Sequence, residues 1–141
     1  MSVTVIYYSR KGNTRRVAEA MASALGTEAV DISVPHTPVN SDVLIVGMGI
    51  YAGKPDQNIL SYIDNLPVNR IKYAGVFSTS ASGKDRMETA VSMLRHKGIT
   101  VHPKHLNLRG SFLWMNRGRP DEKDMHKAVN FAEDVVRSAG E

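Results

Sequence analysis

The chain has 141 residues, 42% of them hydrophobic and 23% charged, which suits one globular domain with a single core. It has no cysteine, which excludes disulfides, thiolate catalysis and cysteine-bound zinc or iron–sulfur centres. Its net charge of +4 comes from basic residues spread along the whole sequence without a nucleic-acid-binding motif, so a solvated basic surface is expected and no nucleic-acid partner.

The N-terminal MSVTVIYY lacks the basic flank and cleavage site of a secretory signal. No apolar run nears the roughly 20 residues of a membrane span. A soluble, cytoplasmic protein with no membrane span is expected.

In chain order, Val3 to Tyr8 reads as a buried strand of β-branched and aromatic residues. Asn13 to Leu25 places Val17, Met21, Ala24 and Leu25 at helical spacing, and Gly26 stops it. Glu28 to Ser33 is a short strand and Pro35 to Pro38 a loop. Val43 to Met48, VLIVGM, is apolar throughout, as in a parallel strand buried on both faces. Pro55 to Leu66 reads as a helix with proline in its first turn. Tyr73 to Ser78 is a buried strand, Asp85 to Lys97 a helix ended by Gly98, Ile99 to Leu106 a strand, and Asp121 to Ala139 the last helix. The connection between the second and third strands is short for a helix. Alternating strands and helices imply an α/β domain, a doubly wound parallel sheet covered on both faces.

Arg109 to Pro120, RGSFLWMNRGRP, does not fit this alternation. It is either a strand extension that plugs the core or a wall of a binding site at the carboxyl edge of the sheet, where open parallel sheets take their ligands.

Three loops leave that edge with distinctive composition. Ser9-Arg10-Lys11-Gly12-Asn13-Thr14 lies between a strand and a helix and offers backbone N–H groups, hydroxyls and an amide to an anion, with Gly12 allowing the tight turn. A simpler reading has Asn13 or Thr14 merely capping the helix. It is not a nucleotide P-loop, whose G-x-x-x-x-G-K-[ST] pattern is absent. Gly49-Ile50-Tyr51-Ala52-Gly53 lets the backbone approach a flat ligand, with Tyr51 at its tip. Ser78-Thr79-Ser80-Ala81-Ser82-Gly83 offers N–H and hydroxyl groups to a polar heterocycle edge, or is a plain loop with Ser82 capping a helix. Gly47 to Ala52 also matches G-x-G-x-x-[GA], but after the wrong strand and without a helix directly following, so a dinucleotide site is not inferred.

Together these loops make the chain resemble flavodoxin from end to end. The first loop matches [ST]-x-[ST]-G-x-[ST] except at Lys11, where a cation replaces a hydroxyl. The resemblance implies a five-stranded parallel sheet in the order 2-1-3-4-5 and FMN as cofactor. The phosphate would sit on Ser9 to Thr14, and the ring between Gly49–Gly53 and Ser78–Gly83, stacked on Tyr51 and with Trp114 as a second neighbour. It also implies a small electron carrier, a monomer or weak dimer, working with redox partner proteins. Two further departures stand out: the third loop has no aromatic to cover the other ring face, and this chain is basic where flavodoxins are typically acidic. Cations near the flavin, from Arg10, Lys11, Lys54 or Arg117, would favour its anionic reduced form. At about 1 kcal/mol each they would raise the potential by roughly tens of millivolts. A basic face also implies partners with acidic docking surfaces.

The alternative is an enzyme, resembling the flavodoxin-like protoporphyrinogen oxidases or quinone reductases, whose first loop has a similar Ser/Thr-Arg-x-Gly-x-Thr form and for whose inserted segment Arg109 to Pro120 is a modest candidate. A phosphorylated receiver on this fold would need clustered acids that are missing. No catalytic constellation is assigned. His102 and His105 lie three steps apart on a strand, hence on opposite faces, and read as surface histidines rather than metal ligands.

Overall fold

The structure is a computed structural model, and it describes residues 1–67, 70–112 and 115–141. The elements in order are β1 (Val3–Tyr7), α1 (Asn13–Ala24), β2 (Ala29–Asp31), β3 (Val43–Tyr51), β4 (Lys54–Pro55), α2 (Gln57–Asp64), β5 (Tyr73–Ser80), α3 (Glu88–His96), β6 (Thr100–Val101), β7 (Leu106–Arg109) and α4 (Glu122–Ala139).

The parallel sheet runs β2-β1-β3-β5-β6, with β7 also on β5. Because β6 and β7 are two pieces of one edge strand, this is the expected 2-1-3-4-5 order. In β3, Val43 and Ile45 face one side and Leu44, Val46 and Met48 the other, so period-two alternation feeds two cores. Val5, Val43, Ile45 and Phe77 pack with Val17 and Met21 of α1 and Phe131 and Val135 of α4. Leu44, Val46, Met48 and Val76 pack with Ile59 and Ile63 of α2 and Leu94 of α3. Both faces are therefore covered by helices. No helix forms between β2 and β3, where residues 32–42 make a turn and an extended crossover.

The central strands run further than their apolar stretches suggest. Strand β3 continues to Tyr51 and folds back on β4 as a tight hairpin, so Gly49 to Tyr51 is strand and Pro55 belongs to β4, not to the helix. The helix starts two residues later, at Gln57, capped by the Asp56 side chain, which accepts from the Asn58 N–H at 2.9 Å. Strand β5 runs to Ser80, past the Ser78 end assigned from sequence, and α3 starts at Glu88 rather than Asp85.

The edge strand is interrupted. Ala74 pairs with Val101 and Phe77 with Leu106, so residues 102–105 stand opposite only Gly75 and Val76. Pro103 lacks the N–H a continuous ladder requires, and a bulge is where a sheet tolerates it. The strand then resumes and carries the chain to Arg109. His102 is not on the surface: it is 3% exposed, with Nδ1 2.6 Å from the Tyr73 hydroxyl and Nε2 3.2 Å from Asp134 on the α4 side. His105 points to the α3 side and bonds Asp85 at 2.8 Å. The two do lie on opposite faces, and among the described residues no cluster could hold a metal ion.

Gly47 lies against Phe77: a Cβ there would come within 2.1 Å of the ring's Cζ, so a side chain forces repacking at the sheet centre. Gly47→Ala is expected to cost about 1–3 kcal/mol in urea unfolding, and Phe77→Leu in the same chain to restore part of it.

Candidate functional site

Strands β1, β3, β5 and β7 end at the same edge of the sheet, and the segments that follow them enclose a pocket of about 350 Å³. That is the lower end of the range for small-molecule sites.

The first wall is the turn from β1 into α1. Gly12 is the N-cap of α1 with φ 93°, and no side chain caps the helix. The carbonyl of Gly12 takes the first helical bond from the Arg16 N–H at 3.0 Å, so the N–H groups of Asn13, Thr14 and Arg15 have no helical acceptor. Capping by Asn13 or Thr14 is thus excluded. Their side chains act elsewhere: the Asn13 amide donates to the Ser111 carbonyl at 3.0 Å, and the buried Thr14 and Thr79 hydroxyls meet at 2.8 Å. Ser9 Oγ accepts from the Gly12 N–H at 3.0 Å and closes the turn. The result is a helix N-terminus with open donors and a partial positive charge, with Lys11 in the turn that leads into it.

The second wall is the β3–β4 hairpin, which contributes Ile50, Tyr51 and Ala52. Tyr51 folds back over Gly49, and the Arg10 guanidinium lies 3.9 Å from its ring centroid. Arg10 also donates through Nε to the Asp56 carboxylate at 2.7 Å, and that carboxylate is buried. One aspartate therefore caps α2 and fixes the cation that lies on Tyr51. Burial raises the Tyr51 hydroxyl above its ordinary range, and the Arg10 charge opposes this.

The third wall comes from Thr79, Ser80 and Ala81, at the end of β5 and just beyond it. Ser78 is fully buried and donates to Asn107 at 2.6 Å, so its role is to hold β5 to β7. Ser80 Oγ accepts from the Gly83 N–H and Ser82 Oγ from the Lys84 N–H; Ser82 shapes this turn and caps no helix.

A fourth wall is Gly110, Ser111 and Phe112, from the irregular segment; Arg109, its first residue, still belongs to β7. Gly110 must be small, because a Cβ there would sit 2.7 Å from the Asn13 amide nitrogen. Phe112 and Met115 exchange backbone hydrogen bonds at 3.0 and 2.8 Å, and the base is closed by the Ser111 N–H donating to the Arg119 carbonyl at 2.8 Å. Asn116 ties the segment to the Ala81 carbonyl at 2.7 Å. At its end Arg119 grips the buried Asp124 with two hydrogen bonds, while Asp121 and Asp124 form the capping box of α4. The Lys11 ammonium lies 4.5 Å from the Phe112 ring centroid.

Of the residues singled out from sequence, Ser9, Arg10, Lys11, Asn13, Thr14, Ile50, Tyr51, Ala52, Thr79, Ser80 and Ala81 meet in this pocket. Gly12, Gly49, Gly53, Ser78, Ser82 and Gly83 shape its walls without lining it, and Trp114 lies outside the described residues. Sequence reasoning missed Asp56, whose signal was its place just before a helix, and did not single out Phe112 within the segment it flagged. The only charged residues lining the pocket, among those described, are Arg10 and Lys11, both cationic.

The grip on Asp124 makes the fourth wall pH-sensitive. Burial pushes this carboxyl up, but the Arg119 hydrogen bonds, the Asp121 N–H and the Arg119 charge outweigh it and leave it below its ordinary range. The folded state then binds this proton more weakly than the unfolded chain, whose Asp titrates near about 3.9. The contribution to stability is present above that pH and drains as the pH falls below it. Asp124→Asn is expected to be less stable than the wild type at pH 7 and to lose less between about pH 4 and 2, as read by thermal unfolding across that range.

The Flavodoxin domain family model matches residues 4–102. An uncharacterised protein of Methanocaldococcus jannaschii is 26% identical over 98% of this chain and 100% of its own length. Among solved structures, a flavodoxin from the domain Archaea matches with a TM-score of 0.76 at 16% identity, over 99% of this chain and 100% of its own. A flavodoxin, WrbA-like protein from Agrobacterium tumefaciens matches at 0.75 and 20% identity, over 98% and 96%. A Fusobacterium nucleatum flavodoxin bound to flavin mononucleotide matches at 0.71 and 10%, over 96% and 97%. With its strand order, its uncapped first helix and a family match across most of its length, the chain belongs to the flavodoxin family.

Proposed function

We propose that this pocket binds FMN and that the protein carries electrons one at a time between other redox proteins. The observation that carries the reading is the open start of α1 beside Lys11, a phosphate site by its donors and charge, at the mouth of a pocket walled by strand ends. The residues fit the group. The N–H groups of Asn13 to Arg15 and the Ser9 hydroxyl would take the phosphate. The ring would lie between Ile50–Ala52 and Thr79–Ala81, and Phe112 would supply the aromatic that the third loop lacks. When bound, FMN supplies the electron chemistry; the protein positions and tunes it. Arg10 is held in place by Asp56 and Tyr51, and Lys11 lies over Phe112, so both cations would meet negative charge developing in the pocket they line.

The oxidoreductase reading keeps one specific support: Gly110, Ser111 and Phe112 line the pocket, where they could shape a substrate site, in a chain that is also similar to a WrbA-like protein. The two readings separate in an anaerobic dithionite titration of the FMN-loaded protein. Two resolved one-electron stages support the carrier; a single two-electron step favours the enzyme and directs a screen of quinones and porphyrinogens.

Binding itself tests the phosphate assignment. FMN is expected to bind at least about tenfold more tightly than riboflavin, the worth of one charge-assisted hydrogen bond, in a flavin-fluorescence quenching assay. Equal affinities would leave α1 without an anion. Lys11→Glu is expected to lower the reduction potential by roughly tens of millivolts in the same titration.

A further inference from the structure

We propose that on the hairpin side of the pocket the flavin ring stacks on the Arg10 guanidinium rather than on Tyr51, and that Asp56 sets how strongly this cation favours the reduced ring. The proposal rests on the FMN reading.

The resemblance to flavodoxin implies Tyr51 as the stacking surface, but its ring is already engaged. It bends back along its own strand over Gly49, where a Cβ would come 2.7 Å from the phenol oxygen and 2.9 Å from Cζ, so the glycine is what lets the ring lie there. The Arg10 guanidinium lies over the ring, its carbon 3.9 Å from the centroid. Arginine is the cation suited to this place, because its planar group can lie flat on an aromatic ring and turn a second flat face outward. Arg10 and Tyr51 both line the pocket, so a planar ligand entering between the hairpin and the end of β5 meets the guanidinium before the phenol.

The stack is fixed from below. Arg10 donates through Nε to Asp56 at 2.7 Å, and the Arg10 side chain is 51% exposed where that of Asp56 is 0% exposed. Asp56 is pinned in turn. Its N–H donates to the Gly49 carbonyl at 3.0 Å, and its other carboxylate oxygen accepts from the Asn58 N–H and side-chain amide at 2.9 and 3.0 Å. A buried carboxylate tied to the glycine under the Tyr51 ring therefore holds an exposed cation over that ring. Moving the guanidinium aside would leave the carboxylate buried without its cation, which costs more than an aromatic stack returns. Among the described contacts Nε alone is engaged, which leaves both η nitrogens for a ligand. A cation held against the ring stabilises the negative charge that the ring gains on reduction, and the carboxylate behind it cancels part of that effect.

The test compares FMN with riboflavin, which has the ring without the phosphate. Arg10→Gln is expected to weaken both by the same factor, about three- to tenfold, in fluorescence-quenching titrations. It should lower the two-electron potential of the FMN-loaded protein, read against a dye of known potential, by about 30 mV, an about tenfold loss of preference for the reduced ring. Adding Asp56→Asn keeps the α2 cap, removes the unpaired carboxylate and should return part of that fall. Arg10→Lys should keep the potential nearer the wild type than Arg10→Gln does. In proton–nitrogen correlation spectra the Arg10 Nε–H, identified by its loss in Arg10→Gln, should shift strongly through the ring current when either flavin binds. Weakening confined to FMN would put Arg10 at the phosphate. Weakening of both flavins with the potential unmoved would make Arg10 only a prop for Tyr51, and flavin bound with the Arg10 Nε–H unshifted would put the ring elsewhere. Any of these three outcomes overturns the proposal and leaves the FMN reading standing. Binding of neither flavin by the wild type would retire the FMN reading, and the proposal with it.

Discussion

The pocket depends on one helix beginning without a side-chain cap. A polar residue at the N-cap of α1 would bond the second or third N–H and fill the end with protein. Gly12 cannot, and Asn13 and Thr14, whose side chains would serve in another register, are bonded to Ser111 and Thr79 instead. The open donors and the contacts that join three segments around them therefore have one origin. The polar side chains hold the geometry, and the backbone offers the charge. In that light the lysine in place of a hydroxyl at position 11 removes no structural bond; it adds a cation beside a site built from main-chain groups.

The far wall has a different cause, in the edge strand. Residues 102–105 bulge, the strand resumes as β7, and its new register delivers Gly110 to Phe112 against Asn13 and the end of β5. The chain must then return to start α4, and the Arg119–Asp124 grip and the α4 capping box fix where it does so. Core packing of α4 and the shape of the site are thereby coupled through a single buried carboxylate. Its neighbour at the other wall, Asp56, has the same double duty: it starts α2 and holds Arg10 on Tyr51.

The two cores were legible because their signal is local: VLIVGM is apolar at every step, and Val17 and Met21 recur at helical spacing, although Ala24 of the same pattern is exposed; the strand order was implied by the family resemblance. The first loop was legible for the same reason, since its glycine and polar residues are contiguous. What escaped was set by partners distant in sequence. Ser78 to Ser80 reads as a loop by composition, yet pairing with Asn107 to Arg109 makes it strand. Gly49 to Tyr51 reads as a loop because of its glycines, yet the hairpin with Lys54 and Pro55 extends β3. His102 reads as surface because nothing nearby in sequence announces Tyr73 and Asp134, which satisfy it in the interior. Arg10 and Lys11 were named from the sequence as cations near the ligand, and both line the pocket; what escaped was the buried Asp56 that holds Arg10, a partner 46 residues away.

The cations at this edge differ in how strongly they act on the pocket. Arg10 sits on a buried counter-charge, so much of its field is cancelled at short range; Lys11, over Phe112, has no such carboxylate among the described contacts. The field of Lys11 in the pocket is therefore not cancelled in this way. Lys84 and Arg117 are exposed on the rim and work through water, where fields fade within about 10 Å at 0.1 M salt. They therefore disturb the pocket little. With FMN bound as proposed, its potential would answer to Arg10 and Lys11 in the lining far more than to the cations exposed around it.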